Sequence, residues 1–294
     1  MFYSRSKRAQ RLMVCLMLLP AFALVLGTFL AGTAISLIQS LDYLPFIGHT
    51  QLSLQAYRDI LGSTVILHGL VFSLAVALVA TIISAMIAML LAHLLRPYTN
   101  QGGWLYFLLQ FNIPIPHVVG AVAIGMLFSQ SGLLARLAAA AGMIQQPSQF
   151  PVLINDQYGA GIIMEYIWKE VPFIAITLLS ILKSWVVPYE QQLQLLGAGR
   201  WQRWRMVTLP FMLPPLISSC MIVFAYTFGS FEVPYILGSV SQPTLPLLAY
   251  EAYLHPDLQR RPEAMAINMV ITLISMILIA IYMKWGETHA ARRS

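Results

Sequence analysis

The stretch TVILHGLVFSLAVALVATIISAMIAMLLAHL, Thr64–Leu94, lies in a run between Asp59 and Arg96 that holds no Asp, Glu, Lys or Arg. A helix of about 20 apolar residues crosses a hydrocarbon core about 30 Å thick, so this stretch is long enough to span a bilayer. The rest of the chain agrees with it. Charged residues make up 10% of the 294 and apolar residues 59%, where a soluble domain carries roughly 25% charged. So few charges cannot cover a water-facing surface, and the composition is the opposite of a disordered chain's.

Five more stretches of this kind flank the first, giving spans at about 12–34, 64–94, 104–129, 161–185, 211–237 and 264–283. The first follows a basic start, RSKRAQR, as a cleaved secretory signal would. Its apolar core is longer than the usual 7–15 residues of such a signal, so a retained helix is expected. No alternating pattern of strand length recurs, which argues against a β-barrel. The expected fold is all-α, a polytopic six-helix transmembrane bundle in one domain. Cys15 and Cys220 both lie in apolar runs, so no disulfide framework is expected.

Lys and Arg set the orientation. Six spans put both termini on one side, with Arg5, Lys7, Arg8, Arg11, Arg96, Lys183, Arg200, Arg203, Arg205, Lys284, Arg292 and Arg293, twelve of the 17 basic residues. That side is expected to be cytoplasmic. The net charge of +6 is then mainly an orientation signal, and a nucleic-acid partner is not expected. On the other side lie two sizeable loops, Ser129–Ala160 and Gly238–Glu263. The first contains GLLARLAAAAGM, a short surface helix by composition. These loops suit either closure of a pathway and partner docking or simple cover.

The segment between the fourth and fifth spans, 186–210, is the most informative. Pro188 suits a first helical turn, Glu190 complements the helix dipole there, and Gly197 suits a left-handed helix end. A second short helix is expected from Arg200, with Trp201, Trp204 and Thr208 on one side and Pro210 stopping it. Two short helices meeting at a glycine would lie on the cytoplasmic face. Trp201, Trp204 and the arginines would equally anchor an interfacial helix.

The run GAGRWQRWRMVTLP, Gly197–Pro210, resembles the EAA loop of permease subunits of binding-protein-dependent ATP-binding-cassette importers, the type I importer fold. Gly197, Ala198, Leu209 and Pro210 match in place. The Glu-Ala-Ala positions hold Gln191, Gln192 and Leu193, with Glu190 one residue earlier. The resemblance runs from about the second span to the sixth. It implies a coupling helix seated in a cleft of an ATPase subunit, with Glu190, Gln191, Gln192, Leu195, Gly197, Ala198, Arg200 and Pro210 as the coupling residues. It also implies a multi-pass protein of a bacterial inner membrane, set among lipid. The partners would be ATPase subunits, a second permease, homologous or identical, and a periplasmic or extracellular solute-binding protein.

Charges inside spans usually face an interior or water. Glu165 and Lys169 stand four apart in the order that favours a helix pair, with Glu170 turned away and Pro172 two residues beyond it. Glu232 lies in TFGSFEVPYILG, where Gly229 and Pro234 suit a helix break. The third span carries FNIPIPH. Asn112, Glu165, Lys169, Phe231 and Glu232 are the candidates for lining or gating a translocation path; a structural Glu165–Lys169 pair and an interfacial Glu232 are the other reading.

No catalytic, cofactor-binding or metal-ligating set is expected. The chain has no Gly-x-x-x-x-Gly-Lys-Ser/Thr for ATP phosphates and no Gly-Lys pair. Its six histidines are scattered without ligand spacing. The alternative is a secondary transporter driven by an ion gradient, which would favour an internal repeat; none is evident. GSFEVPYILG and RRPEAMA look closest to the polyamine, iron and thiamine-type permeases, and Glu232 leans toward a small cationic, polyamine-like solute.

Overall fold

The computed structural model describes residues 7–96 and 103–291; Arg5, Arg292 and Arg293, used above for orientation, lie outside them. Thirteen helices form among the described residues. They are α1 (Lys7–Ser40), α2 (Gln55–Gly62), α3 (Thr64–Leu95), α4 (Trp104–Gln110), α5 (His117–Phe128), α6 (Leu133–Ala140), α7 (Ala160–Ile181), α8 (Val187–Leu195), α9 (Arg200–Arg203), α10 (Leu209–Gly229), α11 (Glu232–Leu237), α12 (Leu245–Leu254) and α13 (Arg261–Ala291). Six helical stretches are long and apolar enough to cross a membrane.

The centre of the bundle is the pairing of α3 with α7. On α3, Ala77, Ala80, Ser84, Ala88 and Ala92 recur every three or four residues and are fully buried. Small side chains on one stripe let a neighbouring helix approach closely, the usual means of association where hydrophobicity gives no preference for protein over lipid. Ile162, Tyr166, Ile174 and Leu178 fill the α7 side of the core, with Leu182 just beyond it. The opposite face of α3 carries Leu78, Ile82, Met86, Leu90 and Leu94, four apart and all exposed, as lipid contact requires. Helix α1 packs mainly along α13, and its apolar side chains from Met13 to Ile38 stay largely exposed. Ser40 at its end meets the Tyr57 hydroxyl of α2 at 2.8 Å.

Three expectations are corrected. The third span is not one helix over 104–129: α4 stops at Gln110 and α5 starts at His117. Pro114 and Pro116 lie between them, and proline removes a donor and disfavours helical backbone at the residue before it. The segment 186–210 is not a pair of separate helices lying on a surface. Helix α7 continues through a π turn, Leu182–Val186, into α8, and α9 continues through a second π turn, Trp204–Thr208, into α10. Pro210 therefore stops nothing. Each π turn ends two residues before a proline, Pro188 and Pro210, and its wider i→i+5 bonding absorbs the missing N–H.

The third correction concerns Glu165 and Lys169. No ion pair joins them among the described residues; each has a different partner, described below. The fifth span is interrupted where α10 ends at Gly229, Ser230 is extended and α11 begins at Glu232.

Candidate functional site

Two sites emerge, an elbow at one end of α7–α10 and a polar cluster inside the bundle. The elbow turns at Gly197, whose φ is +84°, a conformation that strains most residues with a Cβ, Asn and Asp least. The Ala198 N–H reaches the Leu193 carbonyl and the Gly197 N–H the Gln194 carbonyl, both at 3.0 Å. This pattern closes the α8 end. Gly199 then starts α9, its N–H bonded to Gln202 Oε1 at 2.9 Å. Leu195 and Leu196 project from the tip, 88% and 82% exposed. Gln191, Gln192, Gly197 and Arg200 are exposed too, while Ala198 and Pro210 are half-buried.

Behind the tip the elbow is braced. Arg96, at the end of α3, donates from Nη1 to Glu190 Oε1 at 3.0 Å and from Nη2 to Oε2. Thr208 in the second π turn donates to the same Oε1. Arg203 bonds Gln194 Oε1 at 2.7 Å across the turn. Trp201 and Trp204 stack with ring centroids 5.0 Å apart. A cleft of about 590 Å³ opens beside them, lined also by His93, Arg96, Glu190 and Arg200.

The polar cluster is organised by two interrupted helices. Pro172 has no N–H to give the Trp168 carbonyl four residues earlier. Asn112, in the break between α4 and α5, donates to that carbonyl from Nδ2 at 2.6 Å. The exchange is mutual, because carbonyls of the same break, of which that of Asn112 also accepts from the Ile115 N–H at 3.1 Å, face α7. Lys169 Nζ of α7 meets those of Asn112, Ile113 and Ile115 at 2.9, 3.2 and 2.6 Å. A buried ammonium needs such partners, and three converging carbonyls supply them without Glu165.

Glu165 pairs with His117 instead. The His117 Nδ1 lies 3.1 Å from Glu165 Oε1, and Nε2 lies 3.7 Å from Glu170 Oε1. One imidazole at the start of α5 thus faces two carboxylates of α7, and its ring lies 4.6 Å from that of Tyr226 on α10. Gly120 makes this approach possible: a Cβ there would sit 2.8 Å from Trp168 Cζ3 and 2.9 Å from Glu165 Oε1. At the second break, Ser230 donates to Glu232 Oε2 at 3.1 Å, and Phe231 stacks on Tyr250 of α12 at 4.5 Å.

The structure therefore brings Asn112, Glu165 and Lys169 together around α7 and places Phe231 and Glu232 at the α10–α11 break. Sequence reasoning passed over His117, Glu170 and Arg96. His117 had one usable signal, its place directly after Pro116. Glu170 was judged only against Lys169 and not against a residue from another helix. Among the described residues no group of three or more His, Cys, Asp or Glu is placed to hold a metal ion.

Comparison with known proteins follows the same lines. The model of the family described as binding-protein-dependent transport system inner membrane component matches residues 86–292. The sulfate transport system permease protein CysT of Salmonella typhimurium is 27% identical over 263 residues, 89% of this chain and 91% of that protein. The thiamine transport system permease protein ThiP of Haemophilus influenzae is 29% identical over 232 residues, 76% of this chain and 40% of that protein. The structure also matches that of a bacterial ABC transporter involved in the import of the acidic polysaccharide alginate. The TM-score is 0.72 at 17% identity, covering 97% of this chain and 96% of that one, a likeness of fold.

Proposed function

The chain belongs to the family of binding-protein-dependent transport system inner membrane components, and on that premise we propose how this permease subunit of an ATP-binding-cassette importer works. The whole chain acts as one transmembrane domain with both termini cytoplasmic. It pairs with a second permease, homologous or identical, in the lipid of the inner membrane. Two ATPase subunits bind below, and a solute-binding protein docks above.

The observation that carries this reading is the elbow. Two exposed leucines, Leu195 and Leu196, stand at the tip of two helices that continue into membrane spans. Exposed apolar side chains at such a tip suit a partner's cleft rather than water. Nucleotide-driven closure of the ATPases would press on this tip, through Gln191, Gln192, Leu195, Gly197, Ala198 and Arg200. Because α8 and α9 are continuous with α7 and α10 through the π turns before Pro188 and Pro210, the tip is joined directly to the spans. Glu190 supports the elbow from inside.

The moving spans carry the polar cluster. Asn112, Glu165 and Lys169 sit at the α4–α5 break, and Phe231 and Glu232 at the α10–α11 break, so the path is lined or gated at the two interruptions. Three carboxylates, Glu165, Glu170 and Glu232, against Lys169 and His117 favour a small cationic, polyamine-like solute, with the binding protein supplying selectivity.

The test is energetic. The chain is purified with the ATPase subunits that accompany it and reconstituted with the binding protein. Solute uptake that needs ATP and survives collapse of ion gradients is the expected result. Uptake that follows an ion gradient without ATP overturns the reading in favour of a secondary transporter.

A further inference from the structure

We propose that Glu190 is a positioning residue for coupling, locking the elbow to the end of α3 rather than reaching out to the ATPase. The inference rests on the coupling role proposed above and concerns how the push is passed on.

Both carboxylate oxygens of Glu190 are turned into the chain. Oε1 accepts from Arg96 Nη1 and from Thr208, and Oε2 accepts from Arg96 Nη2. The two charged side chains are only 18% and 14% exposed, Arg96 and Glu190 respectively. A two-pronged guanidinium–carboxylate pair is both strong and geometrically exacting. Its neighbours Gln191 and Gln192 are exposed, so the elbow has outward-facing polar groups for a partner without Glu190.

The location is what gives the pair a mechanical role. Glu190 lies just after Pro188, which follows the first π turn, and Thr208 is the last residue of the second π turn, just before Pro210. These two π turns are where α7–α8 and α9–α10 depart from regular helical bonding. Left alone, each is a place where a push on the tip would bend the helix instead of moving the span. The Glu190 carboxylate joins α8, just beyond the first turn, to the second turn and to the end of α3, so α3, α7 and α10 move with the tip as one body. Arg96 is 94 residues from Glu190 in the chain, so the tie is a tertiary one that closes the second span onto the elbow.

The test uses the ATPase-bound complex with spin labels at Leu90→Cys on α3 and Met206→Cys in the second π turn, both exposed positions, in a Cys15→Ser, Cys220→Ser background. The expected result is one narrow inter-label distance that broadens in both Glu190→Gln and Arg96→Gln while the ATPase still co-purifies. The reversed pair, Arg96→Glu with Glu190→Arg, is expected to restore the narrow peak. Thr208→Val, which keeps both charges, carries the same comparison if the charge variants are not recovered: broadening supports the tie, and an unchanged peak overturns it. The proposal is also overturned if Glu190→Gln leaves the distance unchanged, if the reversed pair stays broad, or if Glu190→Gln releases the ATPase while Arg96→Gln retains it. That last outcome would make Glu190 a docking contact. Should no ATPase accompany the unaltered chain, the coupling role itself fails, while the distances still report on the tie.

Discussion

Asn112 supplies the hydrogen bond that Pro172 cannot: its Nδ2 lies 2.6 Å from the Trp168 carbonyl, which a residue with an N–H at position 172 would otherwise satisfy. The two residues are coupled through an atom that belongs to neither.

That coupling is measurable. Asn112→Ala leaves a buried carbonyl unpaired, a loss of about 1–3 kcal/mol. Pro172→Ala restores a backbone donor to the same carbonyl, so the double variant should recover much of the loss. Thermal unfolding of the detergent-solubilised protein gives the cycle. Additive losses would show that Asn112 is not replacing the missing N–H.

Gly120 sits where α5 and α7 touch. Its Ala variant adds a carbon 2.9 Å from Glu165 Oε1 and 2.8 Å from the Trp168 ring, so the neighbours must shift. Overpacking of this kind destabilises by about 1–3 kcal/mol. The displacement falls on the Glu165–His117 contact, so Gly120→Ala should lose most of the further cost of His117→Ala. Melting temperatures of the single and double variants check this.

The elbow turn separates conformation from bulk. A Cβ on Gly197 meets nothing within 4 Å, so the objection to a side chain is its φ of +84° alone. Gly197→Val should reduce ATP-driven uptake severely with normal amounts of protein in the membrane, the strain being about 1–2 kcal/mol in a turn that must stay tight. Gly197→Asn, which tolerates a left-handed backbone, should keep most of the activity. Equal uptake by the two would remove the turn from the coupling argument.

Glu232 opens α11 at the second break. Glu232→Gln keeps the shape and the Ser230 bond but removes the charge. Uptake of the solute is expected to fall about tenfold, the equivalent of 1.4 kcal/mol, with little change in the amount of assembled complex. Uptake equal to that of the unaltered chain would place Glu232 outside the path.

The all-α membrane fold was legible because charge is so scarce that its gaps mark the spans. Gly197 was legible for a local reason, a glycine ending one helical pattern just before another. What escaped was what depends on geometry between distant segments. Apolarity places 104–129 in the membrane but says nothing of continuity, so the break at Pro114 and Pro116 was passed over. Pro188 and Pro210 suggested helix boundaries, since local rules do not anticipate a π turn that absorbs a proline. Glu165 and Lys169 have ideal helical spacing, yet the carbonyls freed by the α4–α5 break compete for the ammonium and win. Arg96 and Glu190 carry no common local signal at all.

The packing of α1 along α13 has a bearing on biogenesis. Helix α1 leaves the ribosome long before its main helical neighbour has been made. Until α13 enters the bilayer, α1 must persist as a solitary hydrophobic rod among acyl chains. Its apolar stretch from Met13 to Ile38, where the hydroxyls of Thr28 and Thr33 bond back to the helix, equips it to wait there, and translation arrested ahead of Arg261 should leave an intermediate whose first segment drifts free of the rest.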